Sequence, residues 1–236
     1  MAVKAVFFDL DGTLLPMELS VFGASYFKLA AESLATIGLT YEESRAMIWD
    51  GYNTMLHNDG SRTNEQAFFE RVRARYDEKR AVEIKVCMNA FHRGAFRGTA
   101  LTCFYDPRAR IAVETAKKRG FRTVLATNPV FPAVATEIRM GFAGLTPRDF
   151  CLYTTYENSR FCKPNPRYFE EVAKKLSLDL SDCVMVGNDT HDDLPATALG
   201  MPVFMVDTYL VDPENKDISS VPHGDLGQLI DWIGSL

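Results

Sequence analysis

Apolar residues fall in short unbroken runs over part of this chain and at three- and four-residue intervals over another part. The runs are "VKAVFFDL", "RTVLATN", "CLYTTY", "CVMVGND" and "PVFMVD", each with turn residues behind it. Continuous rather than alternating hydrophobicity predicts strands covered on both faces, as in a parallel sheet. Between the runs, "DPRARIAVETAKKRG", "PVFPAVATEIRMG", "NPRYFEEVAKKLSL" and "HDDLPATALG" carry helical spacing. Asp106-Pro107 and Asn165-Pro166 supply the capping side chain and proline that open a helix, and Gly120 and Gly200 are placed to close one. Strand and helix alternate from Asp106 onward, which predicts a doubly wound, Rossmann-like α/β core.

Residues 17–99 follow a different rule. "ELSVFGASYFKLAAESLATIG", "TYEESRAMIWDGYNTML", "TNEQAFFERVRARY" and the stretch around "AVEIKVCMNAFHRGAF" are helical in pattern, with no strong strand among them. The predicted organisation is therefore an α/β core of residues 1–16 and 100–236 interrupted by a helical insertion, 17–99. "DPENKDISSVPHGD" reads as a surface loop.

Composition narrows the partners. At 236 residues and 47% hydrophobic the chain can bury a sizeable core. A net charge of -5 without a basic run gives no support for nucleic acid or an anionic membrane surface. No stretch approaches the roughly 18 to 20 apolar residues of a spanning helix. Asp9 and Asp11 interrupt the apolar start, and no small-residue cleavage pattern follows, so an unprocessed cytoplasmic chain is expected. The 5 cysteines, odd in number and without a C-x-x-C pair, suit reduced thiols. Cys162 is the one candidate reactive thiol, because Lys163 beside it could lower its pKa. The 4 histidines have no zinc-ligand spacing, and nothing sets an oligomeric state.

The chemistry gathers at the predicted strand ends, where open parallel sheets bind ligands. Asp9 and Asp11 sit two residues apart as the first run ends, and like charges at that spacing call for a cation, a proton or solvent between them. A solvated Asp-Gly turn is the plainer reading. Thr127-Asn128 follows the second run. Gly187-Asn188-Asp189, with Asp192 and Asp193 close behind, follows the fourth, and Lys163 precedes a proline-initiated helix. Acids from two strand ends suit a hard cation such as Mg²⁺. A lysine and a threonine facing an anion on that metal suit phosphoryl transfer, with an aspartate as nucleophile. Singly, each piece reads as a turn, a solvated lysine or acids capping a helix; their order at successive strand ends is what points to chemistry.

These residues resemble the haloacid dehalogenase superfamily. "DLDGT" matches its first motif, Thr127 its second, Lys163 with Pro164 its third and "GNDTHDD" its fourth, while the helical insertion looks like the small cap of one branch. The resemblance implies a Mg²⁺-dependent phosphatase acting on a small phosphorylated metabolite. Asp9 would be nucleophile and metal ligand. Asp11 would be general acid and base, with its main-chain carbonyl on the metal. Thr127 and the Asn128 amide would hold the phosphoryl group, Lys163 would offset charge, and Asp189 would complete the metal site. Asn188 departs from the commonest fourth motif, where the acid directly follows the glycine, and leaves Asp192 or Asp193 as a second acid, with Asp193 preferred on its i,i+4 spacing from Asp189. A dehalogenase resembles the chain less, since its first motif lacks the second aspartate. A hexose-phosphate mutase shares all four motifs, and a non-catalytic binding or regulatory module would have lost Asp9, Asp11 or Lys163.

Within the insertion, the polar loop "HNDGSRTNEQ" offers Asn58, Arg62 or Asn64 for substrate contact, against the plainer reading of a solvent-facing connection.

Overall fold

A computed structural model describes residues 3–236. Met1 and Ala2, on which the expectation of an unprocessed start partly rests, lie outside them. Six parallel strands form one sheet in the order β3-β2-β1-β4-β5-β6, where β1 is Ala5–Phe8, β2 Arg122–Leu125, β3 Leu152–Tyr153, β4 Cys183–Gly187, β5 Val203–Val206 and β6 His223–Gly224. The chain builds outward from β1 on one side, then crosses to the other. That reversal makes the carboxyl ends of β1 and its neighbours the switch point at which ligands bind.

Every residue of β1, β4 and β5 is buried, as their unbroken apolar runs require. Alternate residues of β1 serve the two faces. Ala5 and Phe7 pack with Tyr168 and Phe169 of α7 (Pro166–Lys175). Val6 and Phe8 join α5 (Pro107–Lys118), α8 (Leu226–Ser235) and the helical insertion in one continuous apolar cluster. The insertion contains α1 (Leu19–Ala35), α2 (Tyr41–Leu56), α3 (Asn64–Arg75) and α4 (Glu78–Arg93), followed by a 3₁₀ segment, Ala95–Thr102. The remaining helix, α6, spans Ala133–Phe142.

The proline-initiated starts form as expected: Asp106 and Asn165 accept the amides of Arg108 and Arg167 at 2.9 and 3.0 Å. Two expectations change. "HDDLPATALG" forms a short 3₁₀ segment, Leu194–Leu199, with Pro195 in its first turn, rather than an α-helix. The stretch read as a C-terminal surface loop contributes β6 at the sheet edge, where Val206 pairs with Gly224. Two residues of strand are too few for a hydrophobic period to show. No described helix is long and apolar enough to cross a membrane, and all five cysteines are free.

Candidate active site

Strand register assembles the site. Phe8 pairs with Leu125 on β2 and Val186 on β4, so the three strands end within a residue of one another at the same edge. Asp9 still donates its amide to the Val186 carbonyl at 2.8 Å, which fixes the start of its loop. The loop then turns through Gly12 at φ +83°. A side chain there would be strained, and its Cβ would lie 2.2 Å from Asn188 Nδ2. Asn188 occupies that space productively. Its Oδ1 accepts the Thr13 hydroxyl at 2.9 Å and its Nδ2 donates to the Tyr209 carbonyl at 2.7 Å. The residue that departs from the commonest family pattern is thus a tie between the loops after β1 and β4.

A cavity of about 330 Å³ opens over these loops, and Asp9, Asp11, Thr127, Asn128, Lys163, Asp189, Asp192 and Asp193 all line it. Lys163 is buried and donates to Asp9 Oδ1 at 2.9 Å and to Asp193 Oδ1 at 2.6 Å. Burial by itself disfavours the ammonium, yet the carboxylates of Asp193 and Asp9 raise its pKa well above the ordinary value. Both oxygens of Asp193 are engaged, since Oδ2 accepts the amides of Asn188 and Asp189 at 3.1 Å each. Asp192 instead accepts Asn128 Nδ2 at 2.9 Å through Oδ2, and burial raises its pKa. Asp189 Oδ1 accepts the amides of His191 and Asp192 at 2.7 and 3.0 Å. Thr127 is buried, its carbonyl accepting the hydroxyls of Thr154 and Tyr168 at 2.6 and 3.0 Å.

Asp11 has a partner that sequence reasoning missed. Its Oδ2 accepts from Arg139 of α6, a fully buried guanidinium lying 4.3 Å over the Phe131 ring. Asp11 Oδ1 is buried with no partner. Burial, joined by the Asp9 charge, raises the pKa of this carboxyl against the opposing influence of Arg139. No signal marks Arg139 in the sequence, because an arginine on an amphipathic helix ordinarily reads as surface.

Among the described residues, no three acidic, histidine or cysteine side chains form a ready metal cage. The donors fit a hard cation that keeps part of its water. Asp9 Oδ2 has only a long 3.4 Å bond from the Thr13 hydroxyl, and the Asp189 carboxylate lies on the same cavity wall.

Two other expectations fail. Asn58 donates to the Arg62 carbonyl and to Asn64 Oδ1, Arg62 pairs with Glu70, and Asn64 donates to the Pro129 carbonyl at 3.1 Å. None of the three lines the cavity. Their loop ties the insertion to the core, with the amides of Asn64 and Glu65 donating to the carbonyls of Ser159 and Tyr156. The Cys162 thiol is buried, which pushes its pKa up against the weaker opposing influence of Lys163, so it is not an activated nucleophile.

Fold and cluster together define an α/β enzyme with a helical insertion over the carboxyl ends of its sheet. The chain belongs to the haloacid dehalogenase-like hydrolases, whose family model matches residues 3–199. It is 27% identical over 220 residues, 92% of this chain and 91% of the other, to a glyceraldehyde 3-phosphate phosphatase of Methanothermobacter thermautotrophicus. It is 26% identical to a phosphoglycolate phosphatase of Caulobacter vibrioides, covering 84% of this chain and 77% of that protein. Among solved structures, a 2-haloacid dehalogenase from Pseudomonas syringae shares the fold with a TM-score of 0.63 at 22% identity, over 99% of both chains.

Proposed function

We propose that this protein is a Mg²⁺-dependent phosphatase that hydrolyses a small phosphorylated metabolite through an aspartyl-phosphate. The observation carrying this reading is the unlike settings of two carboxylates on one loop: Asp9 faces the Lys163 ammonium, while burial favours the protonated form of Asp11. Carboxylates set apart in this way divide nucleophile from acid and base. Asp9 attacks phosphorus, the ester P–O bond breaks, and the alcohol oxygen leaves with the electron pair and takes a proton from Asp11. Asp11, now ionised, takes a proton from water as the water oxygen attacks the acyl phosphate. The bond from phosphorus to Asp9 then breaks, releasing inorganic phosphate.

Lys163 offsets charge shared by Asp9 and the phosphoryl group, and Thr127 and the Asn128 amide hold that group. Mg²⁺ would be held by the Asp9 and Asp189 carboxylates and the Asp11 main-chain carbonyl, and would neutralise charge on the phosphoryl oxygens. Of the two acids left open by the sequence, we assign Asp192 to the surroundings of the cation. Asp193 becomes a positioning residue for Lys163, because both of its oxygens already have donors. We read residues 17–99 as a cap on the core of residues 1–16 and 100–236, and the free thiols accord with a reducing cytoplasm. The names of both curated relatives support hydrolysis of a phosphate ester.

Phosphate release from p-nitrophenyl phosphate tests the reading. The wild type turns over with Mg²⁺, and both chelation and Asp9→Asn abolish turnover. Equal release by wild type and Asp9→Asn overturns it.

A further inference from the structure

The cavity is divided by chemistry. Its charged groups all come from the core loops, and every residue that the helical insertion contributes to its wall is uncharged. Phe22, Phe27, Ile48, Trp49, Tyr52 and Met55 make most of that wall. Among the described residues the one cation lining the cavity is Lys163, which already faces Asp9 and Asp193. The buried side-chain atoms left without a partner on the wall, among the described residues, are Asp11 Oδ1 and Asn128 Oδ1, both on the core side. A carboxylate or second phosphate on the far end of a substrate would face an apolar wall and meet no counter-charge on it.

The aromatic groups are arranged as a platform. Trp49 and Tyr52 stack with centroids 5.4 Å apart and planes 27° off parallel, and Phe27 lies 6.5 Å from Trp49. Trp49 is 54% exposed, a large apolar surface at the cavity wall. Such a surface is worth covering with a flat apolar group.

We propose that the substrate is a phosphate monoester whose alcohol portion is uncharged and largely apolar, with a flat ring seated against Trp49 and Tyr52. This rests on the phosphatase reading and leaves its bond-making and bond-breaking unchanged. It separates this chain from both curated relatives, whose names specify glyceraldehyde 3-phosphate and phosphoglycolate.

The test compares kcat/KM for 2-phenylethyl phosphate, ethyl phosphate and phosphoglycolate, all esters of alkyl alcohols. In parallel, calorimetry on the full chain measures the binding of benzylphosphonate and phosphonoacetate, which cannot be hydrolysed. The phenylethyl ester exceeds both other esters by at least about tenfold, and benzylphosphonate binds tighter than phosphonoacetate. Trp49→Ala, a change at a half-exposed site, narrows both ratios. Phosphoglycolate turned over as well as the phenylethyl ester, or phosphonoacetate bound as tightly as benzylphosphonate, overturns the substrate class and leaves hydrolysis standing. Preferential benzylphosphonate binding without turnover of any ester does the reverse: the preference for an uncharged, flat apolar group holds and the phosphatase reading falls.

Discussion

Two buried cations manage the carboxylates of the site, each by a different geometry. Lys163 is a point charge between Asp9 and Asp193, whereas Arg139 grips one oxygen of Asp11 and stacks on Phe131. Removing Arg139 takes away the donor to Asp11 Oδ2 and the ring contact with Phe131, and leaving a buried carboxyl without its partner costs about 1–3 kcal/mol. Arg139→Met is therefore expected to lose stability of that order, and Arg139→Lys to recover part of it by restoring charge without the planar fork. Urea denaturation of both variants reads the difference; a methionine variant as stable as wild type would show that the pair is not what holds α6 to the loop after β1. The sequence exposed one of these cations and hid the other. Lys163 stands beside Pro164 at a helix start that follows a strand, so its place is readable, while Arg139 enters the site only through packing of α6. The choice between Asp192 and Asp193 was hidden for a similar reason: helical spacing favours Asp193, and the Asp193 amide does close a turn on the Asp189 carbonyl at 2.8 Å, but spacing does not reveal that Lys163 and two backbone amides take up its carboxylate.

At the level of elements, runs and caps were legible where local chemistry decides them. β1, β2, β4 and β5 lie inside the quoted runs, and α5 and α7 begin at their proline signals. Of the short edge strands, β3 lies inside "CLYTTY", though it keeps only Leu152–Tyr153, while β6 was not legible because pairing, not pattern, defines its two residues. The loop before α3 shows the same limit. Its polar residues suggest solvent or substrate, yet Asn64 is fully buried, accepts from Asn58 within the loop and joins the insertion to the Pro129 carbonyl and Cys162 Sγ of the core. Asn64→Ala leaves those buried groups short of partners, a loss of roughly 1–3 kcal/mol. Each kcal/mol lowers the melting temperature by about 2–4 °C in a chain of this size. A thermal melt indistinguishable from wild type would contradict this seat for α3.

For the molecule as a whole, the insertion and one face of the sheet share a single apolar cluster, so a charge developing inside the insertion acts on the stability of the entire fold. His92 of α4 is the group placed to develop one. It is 4% exposed, with Nε2 3.3 Å from the Tyr26 hydroxyl and Nδ1 without a partner. Burial lowers its pKa from 6.5 to about 3, with the nearby Arg139 charge acting in the same direction. Above pH 6.5 the imidazole is neutral in both folded and unfolded chains, and its stabilising effect is complete. Between 6.5 and 3 only the unfolded chain takes up the proton, so stability falls as pH falls, by about 1.4 kcal/mol per unit and roughly 2 kcal/mol by pH 5. Below the folded pKa both states are protonated and the loss levels off. Urea unfolding of wild type and His92→Gln at pH 7.5 and pH 5 isolates this contribution, because carboxylates that titrate over the same range are common to both proteins. The variant is expected to lose less stability across that interval than the wild type; equal losses would mean that His92 takes up its proton in the folded protein as readily as in the unfolded one.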